Sequence, residues 1–399
     1  MTELAPLKLN PKADRRLRGG HLWIYSNEVD VSATPLKNFE LGQQVRVETA
    51  QGKALGVAYI NPHNLICGRL VSRDCRYPLD KSLLVHRLKI ALGLRQSMNP
   101  EPYYRLVYGD SDSLPGLVVD RFGDILVAQI TTAGMECLKT EIIEALQQVL
   151  KPSGILLRND GKMRATEGLP SYVEVAYGEV PEWVPMRENG VDFEVPVFDG
   201  QKTGWFYDHR ASRGRLADYV KGKTVLDVFS YIGGWGVQAA AFGAESVLCI
   251  DSSEFALDGV ERNAALNGVA DKVGTMQGNA FEAMKQLVNE GERFDVVIMD
   301  PPAFIPKRKD VKKGEQAYRV VNELAMRLLN KEGVLVSGSC SMHLQRDKLV
   351  DILRLSSRHL DRQLQILEQG GQTYDHPVHP AIPETEYLKA IFTRLLPAS

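Results

Sequence analysis

The C-terminal half of this sequence predicts an α/β fold, a mostly parallel sheet with helices on both faces. A small β-barrel and a central α+β domain are expected before it. Three observations carry this reading. From Arg213 onward apolar runs alternate with helical stretches, the pattern of a parallel sheet built from strand–helix repeats. Those runs are continuous in Val, Ile and Leu, as strands covered on both faces require. Ahead of Ser72 the runs are short, punctuated by turn residues and interrupted by one weak helix, the signature of a small barrel or sandwich. The expected domains are therefore 1–75, 76–185 and 186–399, the last opening with a β-hairpin.

The elements follow in order. A short helix is expected near Lys12 to Arg18. Gln44 to Glu48 alternates polar and apolar, Gln51-Gly52 turns the chain, and Ala54 to Tyr59 returns. Asn61-Pro62 breaks that run and Leu65 to Val71 resumes it. The central part opens with a helix over Ser82 to Leu94. Strands follow at Tyr104 to Tyr108, Gly116 to Asp120 and Ile125 to Ile130, then a helix at Glu136 to Leu150 and a strand at Gly154 to Arg158. Gly109 to Ser113 slightly resembles a calcium loop, but Leu114-Pro115-Gly116 breaks that pattern and the stretch reads as a turn. Val180 to Pro185 reads as a linker, and a hairpin from Val191 to Val197 is expected to turn near Asp199-Gly200. The last part alternates strand Thr224–Phe229, helix Gly236–Phe242, strand Ser246–Ile250, helix Ala256–Asn267, strand Val273–Gln277, helix Phe281–Asn289 and strand Asp295–Met299.

Bulk properties narrow the function classes. A chain of 399 residues is too long for one ordinary core. Hydrophobic content of 44% with 25% charged residues is that of a soluble globular protein. No apolar run is long enough to span a membrane, and Met1 to Asn10 lacks a secretory core, so a cytoplasmic protein is expected. The five cysteines are scattered with no C-x-x-C pair, so neither a disulfide framework nor a metal site is implied. Net charge is −2, yet basic residues cluster at Lys8, Lys12, Arg15, Arg16 and Arg18, and again from Lys307 to Lys313. Each cluster is either a phosphate-binding footprint or a solvated basic loop.

Three strand ends carry chemistry. Val225 to Gly236 is an apolar strand, then a turn with Gly233 and Gly234, then a helix, and the next strand ends in Asp251. Glycines let a ligand approach the backbone, and an acid one strand later can accept ribose hydroxyls. The pairing fits a dinucleotide or S-adenosylmethionine; the latter has no pyrophosphate and does not need the missing G-x-G-x-x-G. Asp227 suits its amino-acid end. The second strand end is Asp300-Pro301-Pro302-Ala303-Phe304. Its prolines fix the backbone, and Phe304 offers a flat face for an unstacked base. The third runs from Val334 to Ser341 and contains Cys340. C5 of a pyrimidine is too electron-poor to attack a sulfonium directly. A thiolate adding at C6 makes it nucleophilic, so the site must favour the thiolate form of Cys340. Cys249 lies mid-strand and reads as core.

Together these motifs resemble the large-subunit ribosomal RNA methyltransferase I family, PUA-containing class I enzymes that use S-adenosyl-L-methionine to form 5-methylcytosine in 23S ribosomal RNA. His21 to Ser26 and the run ending at Arg69 look like the family's RNA-binding PUA domain, and Gly109 to Asp112 with Leu114 to Leu117 look like its central domain. Gln201 to Arg210 is similar to its K-T-G-x-x-x-D-x-R element, which lies by the cofactor. The resemblance implies Cys340 as nucleophile and Asp300 over the target base. It implies cofactor contacts from Asp227, Phe229, Ser230, Tyr231, Gly233, Gly234, Asp251, Ser252 and Asn279, and from Lys202, Thr203, Gly204, Asp208 and Arg210. Pro301, Pro302, Phe304 and Lys307 would meet the substrate. Two departures stand out: Asn279 replaces the usual acid near the adenine, and Ala303 replaces the second cysteine of another cytosine-C5 branch. The group that removes the C5 proton stays unassigned, with His343, His376 and His379 as candidates. The expected partner is large-subunit ribosomal RNA; a second copy of the chain is left open.

Overall fold

The computed structural model describes residues 4–397. By the density of internal contacts it divides into two units. The first comprises 1–184, 196–205 and 374–385; the second comprises 185–195, 206–373 and 386–399.

The first unit holds two five-stranded sheets. One is built from β1 (Ala5–Lys8), β2 (Trp23–Tyr25), β3 (Gln44–Glu48), β4 (Ala54–Ile60) and β5 (Ile66–Ser72), in the order β1-β3-β4-β5-β2. The short helix α1 (Asp14–Arg18) adds Leu17 to a core of Leu7, Ile24, Val45, Val47 and Ile60. The alternation of Gln44 to Glu48 is seen directly: Val45 and Val47 point inward and their neighbours are half-buried. The second sheet contains β6 (Tyr103–Tyr108), β7 (Leu117–Phe122), β8 (Ile125–Ile130), β9 (Gly154–Asn159) and β10 (Tyr172–Gly178). Its order is β10-β9-β8-β7-β6, and only β8 and β9 run parallel. Helices α2 (Lys81–Met98), α3 (Ala133–Glu136), α4 (Lys139–Leu150) and α5 (Met163–Thr166) complete it. The Tyr59 hydroxyl donates to the Pro115 carbonyl at 2.7 Å, so the two sheets share buried polar as well as apolar contacts.

A hairpin, β11 (Trp183–Glu188) with β12 (Val191–Pro196), links the units in sequence. It turns at Asn189-Gly190, not near Asp199-Gly200. Both residues have positive φ, 53° and 80°, the geometry of the tight hairpin turn that Asn-Gly favours. The proline-rich stretch read as a linker supplies its first strand, because Pro185 occupies an outer position on a two-stranded ribbon.

The second unit is a seven-stranded sheet flanked by α6 (Arg210–Arg215), α7 (Gly236–Ala241), α8 (Glu254–Leu266), α9 (Ala280–Glu290), α10 (Val311–Arg327) and α11 (Arg346–His359). Its strands are β13 (Thr224–Val228), β14 (Ser246–Asp251), β15 (Val273–Gln277), β16 (Phe294–Met299), β17 (Leu329–Ser339), β18 (Arg362–Gly370) and β19 (Lys389–Pro397). The order is β15-β14-β13-β16-β17-β19-β18; the first five are parallel and β19 is antiparallel to both its neighbours. Leu226, Val228, Val297 and Met299 face a core completed by Met284 of α9, Tyr318 and Val321 of α10, and Leu349 and Leu353 of α11. Helix α7 covers the opposite face, where Gly236 lies so close to Cys249 that a Cβ there would come 2.5 Å from its sulfur. Strand order reverses between β13 and β16, and ligands of open α/β sheets sit outside the carboxyl ends at such a reversal.

Candidate active site

The turn after β13 is built under backbone strain. Phe229 and Tyr231 adopt positive φ, 65° and 50°, a conformation that costs non-glycine residues energy and persists only where the surroundings enforce it. The surroundings do so. The Ser230 amide donates to the Ile250 carbonyl at 3.0 Å, and the Tyr231 amide donates to Asp251 at 2.9 Å. The other Asp251 oxygen accepts the Ser253 amide at 3.0 Å, and the Ser253 side chain caps α8. Asp251 thus stands at the end of β14, half-exposed, its orientation fixed by backbone donors. Ser252 beside it is exposed. Gly233 (φ 85°) and the buried Gly234 bring the chain into α7.

Asp227 lies beneath this turn with no solvent exposure. One oxygen accepts the Gly236 amide at 2.8 Å; the other, Oδ1, is buried without a hydrogen-bond partner. Burial pushes its carboxyl up to about 8, against the pull of the Gly236 amide. A buried carboxylate oxygen that lacks a donor is the acceptor an ammonium group needs. The residues therefore fit the amino-acid end of S-adenosylmethionine, with Asp251 available to hydroxyls. Asn279 is exposed and spends its side-chain oxygen capping α9, on the Phe281 amide at 3.0 Å.

Asp300 follows β16. The Trp235 indole donates to one of its oxygens at 3.0 Å, and His209 Nε2 lies 3.1 Å from the other. Burial raises the Asp300 carboxyl, but the His209 charge and hydrogen bond, with that of Trp235, outweigh it and hold the group below its usual range. Burial alone would lower His209; the carboxylates of Asp300 and Asp208 lift it above 6.5. His209 and Asp300 form an ion pair that joins the segment before α6 to the end of β16, while the Trp235 indole joins the glycine turn to it. Asp208 accepts the Tyr387 hydroxyl at 2.5 Å, and Arg210 lies over the Tyr207 ring, 3.6 Å from Glu188. The boundary between the units falls after Trp205. Lys202, Thr203 and Gly204 belong to the first unit, where the buried Thr203 hydroxyl donates to Asp120 at 2.6 Å.

Cys340 leaves the end of β17, half-buried, with its sulfur 3.9 Å from the Pro301 carbonyl. A Cβ on Gly338 would come 3.1 Å from Asp300 Oδ1. The glycine turn, Asp300 and Cys340 are therefore neighbours at one edge of one sheet. Ser339 and Ser341, on either side of Cys340, both bond the Tyr318 hydroxyl at 2.9 Å. The Ile305 amide donates to the Ser341 hydroxyl at 3.2 Å, which ties the proline segment to the same knot. Pro302 and Lys307 are exposed and Pro301 is buried. Phe304 is half-buried against Tyr318, with ring centroids 4.9 Å apart, and touches Phe229 and Phe281. His376 and His379 fold with the first unit, His376 buried beside Asp375; His343 is half-buried three residues past Cys340.

Residues 165–371 match the sequence family described as S-adenosylmethionine-dependent methyltransferase, and residues 7–73 match a PUA-like domain. Ribosomal RNA large subunit methyltransferase I of Aliivibrio fischeri is 35% identical over 388 residues, 96% of this chain and 97% of its own. The chain belongs to the ribosomal RNA large subunit methyltransferase I family. A second member, from Vibrio cholerae, is 36% identical over 391 residues, 96% of this chain and 97% of its own. In fold the chain is similar to a solved Streptococcus mutans protein assigned as a SAM-dependent methyltransferase. Their TM-score is 0.82 at 22% identity, over 98% of this chain and all of that one. The protein is thus an S-adenosylmethionine-dependent methyltransferase with a PUA-like front end and a class I methyltransferase domain. Around Asp300 and Cys340, sequence reasoning passed over His209, Trp235, Tyr318 and Lys389. His209 and Trp235 stood inside motifs already singled out; a lysine opening the apolar run Lys389-Ala390-Ile391-Phe392 was the one further signal.

Proposed function

We propose that this protein methylates C5 of a cytosine in large-subunit ribosomal RNA through a covalent adduct between Cys340 and C6 of the base. The observation that carries the reading is the Cys340 sulfur, 3.9 Å from the carbonyl of Pro301, the residue after Asp300, on the edge shared with the glycine turn. The family's curated members, named for large-subunit ribosomal RNA, support the choice of substrate.

When bound, S-adenosylmethionine supplies a methyl group on a sulfonium whose carbon–sulfur bond breaks to leave a neutral thioether. Asp227 and the Ser230–Gly236 turn would hold its methionine part and Asp251 its ribose. Ser252, Asn279, Asp208 and Arg210 complete the proposed cofactor surroundings. The Cys340 thiolate attacks C6, and the electron pair of the C5–C6 double bond makes C5 the nucleophile that takes the methyl. Loss of the C5 proton then lets the bond from C6 to sulfur break, which returns the thiolate. Asp300, held ionised by His209 and Trp235, accepts a donor on the base and orients the ring. Pro301, Pro302, Phe304 and Lys307 line the base's approach. The base must leave its stack first, at a cost of a few kcal/mol, so unpaired RNA is the favoured target.

RNA carrying 5-fluorocytosine tests this directly, because fluorine at C5 cannot be lost as a proton. A trapped adduct at Cys340, seen by peptide mass spectrometry, is the expected result. Full methyl transfer by Cys340→Ala would overturn the covalent route in favour of methylation at a base nitrogen.

A further inference from the structure

Lys389 opens β19 and sits opposite Ser339, one residue before Cys340, in the antiparallel register with β17. The residue is only 6% exposed. Its ammonium donates to the Ser341 carbonyl at 2.6 Å and to the Tyr387 carbonyl at 2.7 Å. Two carbonyls clamp the nitrogen beside the loop that carries the sulfur, and neither brings a negative charge. No carboxylate is ion-paired with it among the described residues. A buried ammonium without an anion is costly, so the arrangement is understandable if an anion forms beside it. Cys340 is the group placed to become that anion, and the charges of the two residues act on each other.

We propose that Lys389 is a positioning residue whose ammonium, clamped beside the loop after β17, stabilises the thiolate of Cys340 and so prepares it for attack. The inference rests on Cys340 being the nucleophile and supplies the activation that role demands. The thiol proton leaves to water and no bond to Lys389 forms. The other charges that reach Lys389 are Arg346 at the start of α11, which opposes its protonation, and Glu386, which favours it. Helix α10 contributes Tyr318, whose hydroxyl is engaged by Ser339 and Ser341. On β18 the register partner nearest this end is Gly370, opposite Ala390, with no charge to offer. Burial pulls the Lys389 ammonium down to about 8, so the charge is present at neutral pH and fades above it.

The test reads the thiol itself, without RNA or cofactor. The full-length protein is treated with iodoacetamide across pH 5.5–10, and alkylation of Cys340 is followed by peptide mass spectrometry, separately from the exposed Cys137. In the wild type the alkylation midpoint falls below the free-thiol value of about 8.5. Lys389→Met raises the midpoint by roughly one unit or more, about tenfold less thiolate at neutral pH, while Lys389→Arg keeps it low. An unchanged midpoint in a folded Lys389→Met overturns the proposal. So does a wild-type midpoint at or above the free-thiol value, which needs no variant to fold. The covalent route is judged apart, by methyl transfer in Cys340→Ala: activity there would remove the nucleophile role yet leave the measured coupling of Lys389 to Cys340 intact.

Discussion

Replacing Asp227 by Asn separates charge from shape at the base of the glycine turn. In the wild type burial pushes the carboxyl up to about 8, with Oδ1 buried and unpartnered. At pH 7 only about a tenth of it is ionised, by the usual tenfold per pH unit. Binding an ammonium requires the carboxylate, so binding must expel the proton. Roughly 0.8 proton per site should be released at pH 7, after allowing for uptake by an α-amino group of ordinary pKa. Affinity should rise close to tenfold between pH 6 and pH 7 and then level as the ligand's own amine deprotonates. In Asp227→Asn the Gly236 amide keeps an acceptor, but the free position becomes a donor. A lost charge-assisted hydrogen bond of about 1.5–3 kcal/mol weakens binding by about 10–150-fold near pH 8. The deficit should shrink toward pH 6, where the wild-type carboxyl is mostly protonated as well. Calorimetric titration with S-adenosylhomocysteine, in buffers of different ionisation enthalpy, reads both affinity and proton count. A flat pH profile with no proton release would refute the reasoning.

The pairing of His209 with Asp300 gives a second expectation. The lifted His209 pKa stabilises the folded state at low pH, and this is lost as pH rises through that folded value. The depressed Asp300 pKa stabilises above the unfolded value and is lost as pH falls through the folded one, so the pair contributes most between the two. Asp300→Asn should therefore drop the His209 midpoint, followed by NMR of the ring, to below 6.5, because burial is then opposed only by Asp208. A midpoint unchanged by the substitution would exclude the ion pair. Glu188 is fully buried and accepts from Arg213 at 2.6 and 3.0 Å and from Gln238 at 3.0 Å. Glu188→Ala strands a buried guanidinium, a loss of about 3–5 kcal/mol. The thermal unfolding midpoint should fall by roughly 10 °C; a change of less than about 2 °C would mean the pair is compensated locally.

The parallel strands were legible because burial on both faces writes itself as unbroken Val, Ile and Leu. Val273–Gln277 has the bounds read from sequence, and the strands that carry Asp227 and Asp251 and the one that ends just before Asp300 fall within a residue of theirs. The convergence of Asp300 and Cys340 could also be anticipated, since residues after parallel strands gather at one edge. The hairpin turn was missed although Asn189-Gly190 is a strong signal, because the prolines beside it suggested a linker. Lys312 and Lys313, read as part of a basic loop or footprint, lie on α10, whose inner face of Tyr318, Val321 and Ala325 packs on the sheet. The role of His209 had no local trace: its partner is ninety-one residues away in the chain and is reached only through tertiary packing. Lys389 was hidden for the same reason, since an antiparallel return strand is identified by its register and not by its own composition.

Strand β19 follows both its neighbours in the chain yet inserts between them. A nascent chain that has made β17 and β18 cannot zip them together; it must wait with bare strand edges exposed, a hazard for misassociation. The wedge arrives late and closes the sheet. A partly synthesised chain would thus hold Cys340 without Lys389, and this edge of the sheet would be complete only once β19 has been made.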